Sequence, residues 1–391
     1  LNRVEYRNTI RDLMGVDFNT TEEFPPDDTG YGFDTIGDVL SMSPMLLEKY
    51  VNSAETIVDL AMPKVSLAPR MHWISGRDFR TADGGQNGER TSFYEPKAIA
   101  NTHNVDHAGR YRIHLDVAAH GGFIFDPGRV ELTFHVDGVE RFKQEHSWEE
   151  YRDFSHPVEV EFEPGDHVLE IRLRPLVERQ PVDEDFQADK EELVFHVRNV
   201  RVEGPLEESH WVPPSNHARF FPEGQPPAPG PERDAYARTA LARLASRAFR
   251  RPVDDQTLDR LVAVAKADYD QPDRTVEQGV ARAMVLVLSS PQFLFRIEES
   301  QPSGPADPNP LLDEFALASR LSYFLWSTMP DHELRQLAEA NQLRANLPDQ
   351  VQRMIRDDRS RNFVRNFVGQ WLQSRDVEGA EVNAISVLGL D

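Results

Sequence analysis

The sequence predicts a multidomain α + β protein in which the N- and C-terminal segments form one helical body and an antiparallel β-sandwich is inserted between them. Three observations carry this expectation. Apolar residues recur three and four apart over residues 1–64 and again from 233 onward, the period of one-sided helices. From about 70 to 204 the period falls to two, the alternation of half-buried strands. The two helical pieces also differ in charge: residues 1–62 carry 12 acidic and 4 basic side chains, whereas 232–300 carry 11 of each.

The first element is a helix–loop–helix unit over 1–64. Asn2 and Glu5 have the spacing of a capping box, and Gly15 supplies a helix stop. Ser43-Pro44 marks the second start, with Leu47, Tyr50, Val51, Ala54, Ile57, Val58 and Ala61 along one face. A unit of this size buries too little surface alone, so it is expected to dock on the later helices. Between 70 and 204, Tyr111, Ile113, Leu115 and Val117 alternate with Arg110, Arg112, His114 and Asp116. Asp137-Gly138 and Pro164-Gly165 supply tight turns, and no helical pattern intervenes, which predicts a sandwich. Eight prolines in 204–232 predict a linker over 205–232. Helical domains are expected at 233–300 and at 311–391, the second truncated. In the latter, Phe315, Leu317, Leu321, Phe324, Leu325 and Trp326 surround their helix on nearly all sides, which predicts a central position.

The net charge of −23 argues against a nucleic-acid partner, because phosphate binding rests on clustered Lys and Arg. No apolar run approaches the roughly 20 residues of a membrane span. With no cysteine, the chain has no disulfide, no thiolate ligand and no covalent haem attachment. It opens at Leu1, already inside a helical pattern, and is expected to be a piece of a longer or processed protein. Arg243, Arg247, Arg250 and Arg251 are expected to pair with the acidic N-terminal unit, the alternative being a polyanion site.

The most site-like stretch is Phe24–Asp38, with four Asp, three Gly, two Pro and three aromatics in fifteen residues. Asp27, Asp28, Asp34 and Asp38 are candidate Ca²⁺ ligands by their hard oxygen chemistry, though the spacing is not that of an EF-hand. As turn formers and caps the same aspartates would make the loop a buckle, with Tyr31, Phe33 and Ile36 folded back on the protein. In the β region, sugar rings call for flat aromatic surfaces beside hydrogen-bonding groups. Trp148 and Tyr151 are the first candidates for carbohydrate binding, Trp73 and Tyr94 the next. No nucleophile elbow, zinc-protease helix, phosphate loop or dinucleotide fingerprint occurs, so no catalytic residue is assigned.

Three motifs carry a family resemblance. The opening Leu1-Asn2-Arg3-Val4-Glu5-Tyr6-Arg7-Asn8-Thr9-Ile10-Arg11-Asp12-Leu13, with the Phe24–Asp38 loop and Leu40-Ser41-Met42-Ser43-Pro44, resembles a planctomycete family. Its members are large exported proteins of unknown function that often carry cytochrome c domains. Ala245-Ser246-Arg247-Ala248-Phe249-Arg250-Arg251-Pro252 and Leu317-Ala318-Ser319-Arg320-Leu321-Ser322-Tyr323-Phe324-Leu325-Trp326 resemble two other domains of the same proteins. The resemblance implies export to the periplasm or cell surface, and haem c only on a cytochrome c domain outside this chain. Ala108-Gly109-Arg110-Tyr111-Arg112-Ile113, Val136-Asp137-Gly138 and Glu163-Pro164-Gly165-Asp166-His167 resemble jelly-roll carbohydrate-binding modules, which implies a jelly-roll-like sandwich and a polysaccharide partner.

The expected function is that of a non-catalytic scaffold and binding segment of an exported multidomain protein, its sandwich recognising carbohydrate. The alternatives are part of a cytochrome-c-linked oxidoreductase or polysaccharide-active enzyme, and a purely structural assembly module.

Overall fold

A computed structural model of the 391-residue chain describes residues 1–374 apart from 38, 39, 41, 86–89, 122–125, 149, 150, 179–192 and 301–309. It forms two compact units, one built from residues 1–66 and 215–391, the other from 67–214. The expected fold class is observed: a helical body assembled from both ends of the chain, with an antiparallel sandwich inserted between them.

In the helical unit, α1 (Arg3–Met14) starts on the predicted capping box, Asn2 Oδ1 accepting from Glu5 N at 2.8 Å while Glu5 Oε2 accepts from Asn2 N at 3.2 Å. It ends at Gly15 with φ +81°, a left-handed angle that costs glycine nothing. A short α2 (Thr20–Glu23) leads to the Asp/Gly loop, and α3 (Pro44–Ala61) is capped by Ser43, whose Oγ accepts from Leu46 N at 3.1 Å. The later half contributes α4 (His217–Phe220), α5 (Pro231–Phe249), α6 (Asp255–Tyr269), α7 (Val276–Leu288) and α8 (Pro291–Leu294). Tyr6, Ile10 and Leu13 of α1 and Ala54, Ile57 and Val58 of α3 share one core with Leu241, Leu244, Val280, Met284 and Phe293. Within it the Tyr6 ring lies 5.3 Å from Phe24, 5.1 Å from Tyr50 and 5.9 Å from Phe293.

A second cluster surrounds Trp326, at the end of α9 (Glu314–Trp326), with α10 (His332–Glu339) and α11 (Leu347–Arg356). Trp326 is fully buried and its Nε1 donates to Met354 O at 3.0 Å. The expectation that α9 is covered on nearly all sides is corrected at Phe324, which stays 52% exposed beside Phe363 and Phe367. The Pro-rich stretch 205–232 is divided between the units, and Phe220 and Phe221 within it are fully buried in the helical core.

The other unit contains β1 (Met71–Ser75), β2 (Thr91–Ser92), β3 (Lys97–Val105), β4 (Gly109–His120), β5 (Arg129–Val136), β6 (Val139–Ser147), β7 (Tyr151–Phe162), β8 (Gly165–Pro175) and β9 (Val194–Glu203). One sheet runs β1-β9-β4-β7, with β2 on β9, and the other runs β3-β8-β5-β6. Setting aside the two-residue β2, the orders by chain position are 1-8-3-6 and 2-7-4-5, the interleaving of a jelly roll. Asp137 and Gly138, at φ +51° and +78°, form the predicted β5–β6 turn with both central residues left-handed. The inner faces meet in Ile113, Leu115, Val130, Leu132, Phe134, Leu169, Ile171, Val200 and Val202, all buried.

Candidate functional site

The outer face of the β1-β9-β4-β7 sheet follows from register. Inward positions are apolar, so the alternate residues of four strands lie together on the other side. They align in three rows: Met71, Glu203, Arg112 and Glu159; Trp73, Arg201, His114 and Pro157; Ser75, Asn199, Asp116 and Ser155. Each row crosses four strands, a span of about 14 Å.

Trp73 is 66% exposed, unusual for the largest apolar side chain, and the Arg201 guanidinium carbon lies 5.4 Å from its ring centroid. Arg201 is fixed from behind. Its Nε and Nη2 donate to Asp116 at 2.6 and 2.9 Å, and Nη2 also reaches Ser155 Oγ at 3.2 Å. Ser155 Oγ in turn donates to Asp116 Oδ1 at 2.6 Å. Partial burial pushes the Asp116 carboxyl up, but the bonds from Arg201 and Ser155 outweigh it and hold the group below its ordinary value. The neighbouring row is tied by Arg112, which meets Glu159 at 2.9 Å and Glu203 at 3.4 Å. Asn199 Oδ1 is buried and has no hydrogen-bond partner among the described residues. A flat aromatic, an oriented guanidinium, a carboxylate, a hydroxyl and an amide therefore share one rigid surface.

The three aromatic candidates whose side chains are described do not converge on one site. Trp148 is half-buried against the sandwich core, where a methyl group added at Gly121 would stand 2.7 Å from its indole. Tyr94 lies near the same end, its hydroxyl bonded to Asp126, and both Trp148 and Tyr94 border residues that also approach Leu193. Trp73 stands apart on the open sheet face, and the Tyr151 side chain lies outside the described residues. Arg201, Asp116, Ser155 and Asn199 were not singled out from sequence. Their only signal is an outward position in alternating strands, and the pairing that joins residues 85 apart is invisible in local pattern.

Two aspartates of the Phe24–Asp38 loop, Asp27 and Asp34, serve the fold. Asp27 Oδ2 accepts from Arg3 N at 2.9 Å, and burial pushes its carboxyl above the ordinary value against the pull of Arg3. Asp34 is buried, its Oδ1 accepting from Asn2 Nδ2 at 3.0 Å and its N donating to Gln370 Oε1 at 2.8 Å. Asp28 is exposed, and Asp38 lies outside the described residues. Phe24 enters the core and Phe33 stacks on Phe367, but Tyr31 points away, 99% exposed, which corrects its expected folding back. Among the described residues no group of three or more His, Asp or Glu is arranged to hold a metal ion.

Pairing of Arg243, Arg247, Arg250 and Arg251 with N-terminal carboxylates is also corrected, although Arg296 does meet Glu5 at 3.4 Å. Arg250 donates to the carbonyls of Gln292, Phe293 and Phe295, Arg243 to those of Arg219 and Phe220, and Arg251 pairs with Glu299 and Asp313. Among the described residues Arg247 donates to the Asp12 carbonyl, at 3.3 Å. Helix and turn ends present carbonyls without internal partners, and these draw the guanidinium groups.

Family models match three segments of the helical unit. Residues 1–63 match PSD3, a protein of unknown function (DUF1587); residues 236–298 match PSD5, a protein of unknown function (DUF1595); and residues 312–387 match PSD4, a protein of unknown function (DUF1592). No curated protein matches the chain. Among solved structures, it is similar to the CBM36-1 domain of a multidomain xylanase from the hindgut metagenome of Trinervitermes trinervoides, at 8% identity over 35% of this chain and 98% of that one, with a TM-score of 0.23. A family 35 carbohydrate binding module from an environmental isolate aligns at 13% identity over 39% of this chain and 96% of its own, with a TM-score of 0.22. CBM35 from Cellvibrio japonicus Abf62 aligns at 10% identity over 34% of this chain and 94% of its own, also at 0.22.

Proposed function

We propose that this chain is a non-catalytic binding segment whose sandwich holds carbohydrate on the outer face of the β1-β9-β4-β7 sheet. The observation that carries the reading is Trp73, an exposed indole backed by an arginine that Asp116 and Ser155 hold in place. A sugar ring presents an apolar C–H face and a polar rim. The indole meets the first, while Asp116, Ser155 and Asn199 offer acceptors and donors to the second. Fixing these groups before binding lowers the ordering cost of association. A flat surface about 14 Å across suits a stretch of polysaccharide rather than a single enclosed sugar.

We further propose that the segment belongs to an exported protein with a cytochrome c domain elsewhere in its chain. The motifs that resemble that family support this. The test is a pull-down of the full chain on insoluble polysaccharides together with a glycan array, comparing wild type with Trp73→Ala. Retention by at least one glycan that Trp73→Ala loses is the expected outcome. No glycan retained, or equal retention by the variant, overturns the reading.

A further inference from the structure

The helical unit contains an open pocket of about 800 Å³ lined by six arginines and only three carboxylates. That balance is the reverse of the chain as a whole, where 66 acidic side chains face 43 basic ones. Arg243 and Arg247 stand four apart on α5, Arg219 comes from α4 and Arg335 from α10. The three segments matched by family models each supply part of the lining, through Asp12, through Arg243 and Arg247, and through Arg335.

Two lining carboxylates pair with other arginines of the pocket, Asp12 with Arg11 at 3.5 Å and Asp331 with Arg359 at 3.7 Å, and among the described residues no carboxylate forms an ion pair with Arg247 or Arg335. Asp12 Oδ2 is taken by Thr328 Oγ1 at 2.7 Å, and Asp331 by Arg353 at 2.7 and 3.2 Å. Arg219 spends its donors on carbonyls at the end of α1, the nearest at 2.9 Å. Arg335 Nε and Arg243 Nε are buried and have no hydrogen-bond partner among the described residues. Burial, followed by repulsion from Arg335, Arg219 and Arg243, lowers Arg247 to about 10, and burial also lowers Arg335. Like charges crowded at a desolvated site, with donors unspent, are stabilised by an anion that accepts from several of them at once.

We infer that this pocket is a binding site for a small oxyanion, a phosphate, a sulfate or the carboxylate of an acidic sugar, held between Arg247 and Arg335. The fork geometry of guanidinium matches the paired oxygens common to these groups. The site lies in the helical unit and is independent of the sandwich face, so either can fail without the other.

Calorimetric titration of the full chain with inorganic phosphate, sodium sulfate and glucuronate, at matched ionic strength, tests the inference and separates the three sources. Saturable binding of at least one is expected, weakened about tenfold or more by Arg335→Gln or Arg247→Gln and unchanged by the exposed control Arg260→Gln. If the variants do not fold, phenylglyoxal labelling of the wild type supplies the second measurement, with the bound anion expected to protect Arg247 and Arg335 in a peptide map. No saturable binding of any of the three, or labelling unaffected by the anion, overturns the site.

Discussion

Arg250 and Tyr323 meet at the junction of three segments of the helical unit. Arg250 Nη1 lies 3.3 Å from the Tyr323 hydroxyl, which is itself 2.9 Å from Thr9 Oγ1 of α1. Arg250 Nη2 donates to three carbonyls beyond α7, at 2.7–3.0 Å. One buried cation thus ties the end of α5 to α8, α9 and the N-terminal helix. Arg250 also sits at φ +63°, a left-handed angle imposed on a non-glycine residue.

These two facts separate in a pair of variants. Arg250→Ala is expected to destabilise the helical unit by about 3–5 kcal/mol, because buried carbonyls and a tyrosine lose their donor. Arg250→Gly is expected to cost about 1 kcal/mol less, since glycine relieves the left-handed angle. Urea titrations followed by far-ultraviolet circular dichroism measure both. Equal losses would show that the backbone angle carries no strain.

Gly279 predicts a sign against helix propensity. Alanine in the middle of a helix ordinarily gains about 1 kcal/mol over glycine. A methyl group here would stand 2.5 Å from Ala265 O and 2.7 Å from Tyr269 Cδ1, where α6 crosses α7. Gly279→Ala is therefore expected to lower the melting temperature, with a net loss of about 1–3 kcal/mol. A stabilised variant would mean that α6 and α7 can separate at no cost.

The sandwich carries an acid sensitivity of its own. The His146 ring packs 4.7 Å from Phe154, 5.2 Å from Phe195 and 5.4 Å from His156, and the Nε2 atoms of both histidines are buried without partners among the described residues. Burial, then the neighbouring His156, lowers His146 from 6.5 to about 4. Because the unfolded chain takes up the proton first, stability is lost as pH falls from about 6.5 to about 4, by roughly 3 kcal/mol. Thermal unfolding between pH 7 and 4 reads this slope. His146→Phe is expected to flatten it, and an unchanged slope would assign the acid sensitivity elsewhere.

Asp116 acts in the same sense but lower on the pH scale. Its carboxyl is held below the ordinary 3.8, so the Arg201 clamp persists as pH falls and is lost only on passing through that lowered value. Carbohydrate retention by folded protein is expected to stay level from pH 7 to 4, while Asp116→Asn weakens it about tenfold at every pH in that range by freeing Arg201. Unchanged retention by the variant would detach the clamp from binding.

Elements whose signal is local were legible in the sequence. The Asn2–Glu5 capping box, the Ser43 cap and the Asp137-Gly138 turn each rest on two or three adjacent residues, and each formed. The period shift near residue 70 likewise exposed the inserted sandwich. The site was less legible, because it depends on register across strands far apart in the chain. Trp73 could be named as an aromatic candidate, but nothing near it in sequence shows Arg201 above its ring. Trp148, in a polar run, looked like a loop platform and instead fills the space over Gly121. The arginines were noticed as a group, and their carbonyl partners appear only once the ends of α1 and α8 are placed beside them.

The divided helical core also sets an order of assembly during synthesis. Thr9 and Tyr323 are 314 residues apart, and the core that Tyr6, Ile10 and Leu13 share with Leu241, Met284 and Phe293 is completed only after the whole sandwich has been made. At ordinary translation rates of about 5–20 residues per second, those side chains wait on the order of ten to sixty seconds for these partners. A sandwich that folds meanwhile draws the two halves together and shortens the loop that the helices must close. The inserted module is thus a folding clasp for the body that surrounds it in sequence, and a sandwich that misfolds leaves a half-made helical core exposed to aggregation.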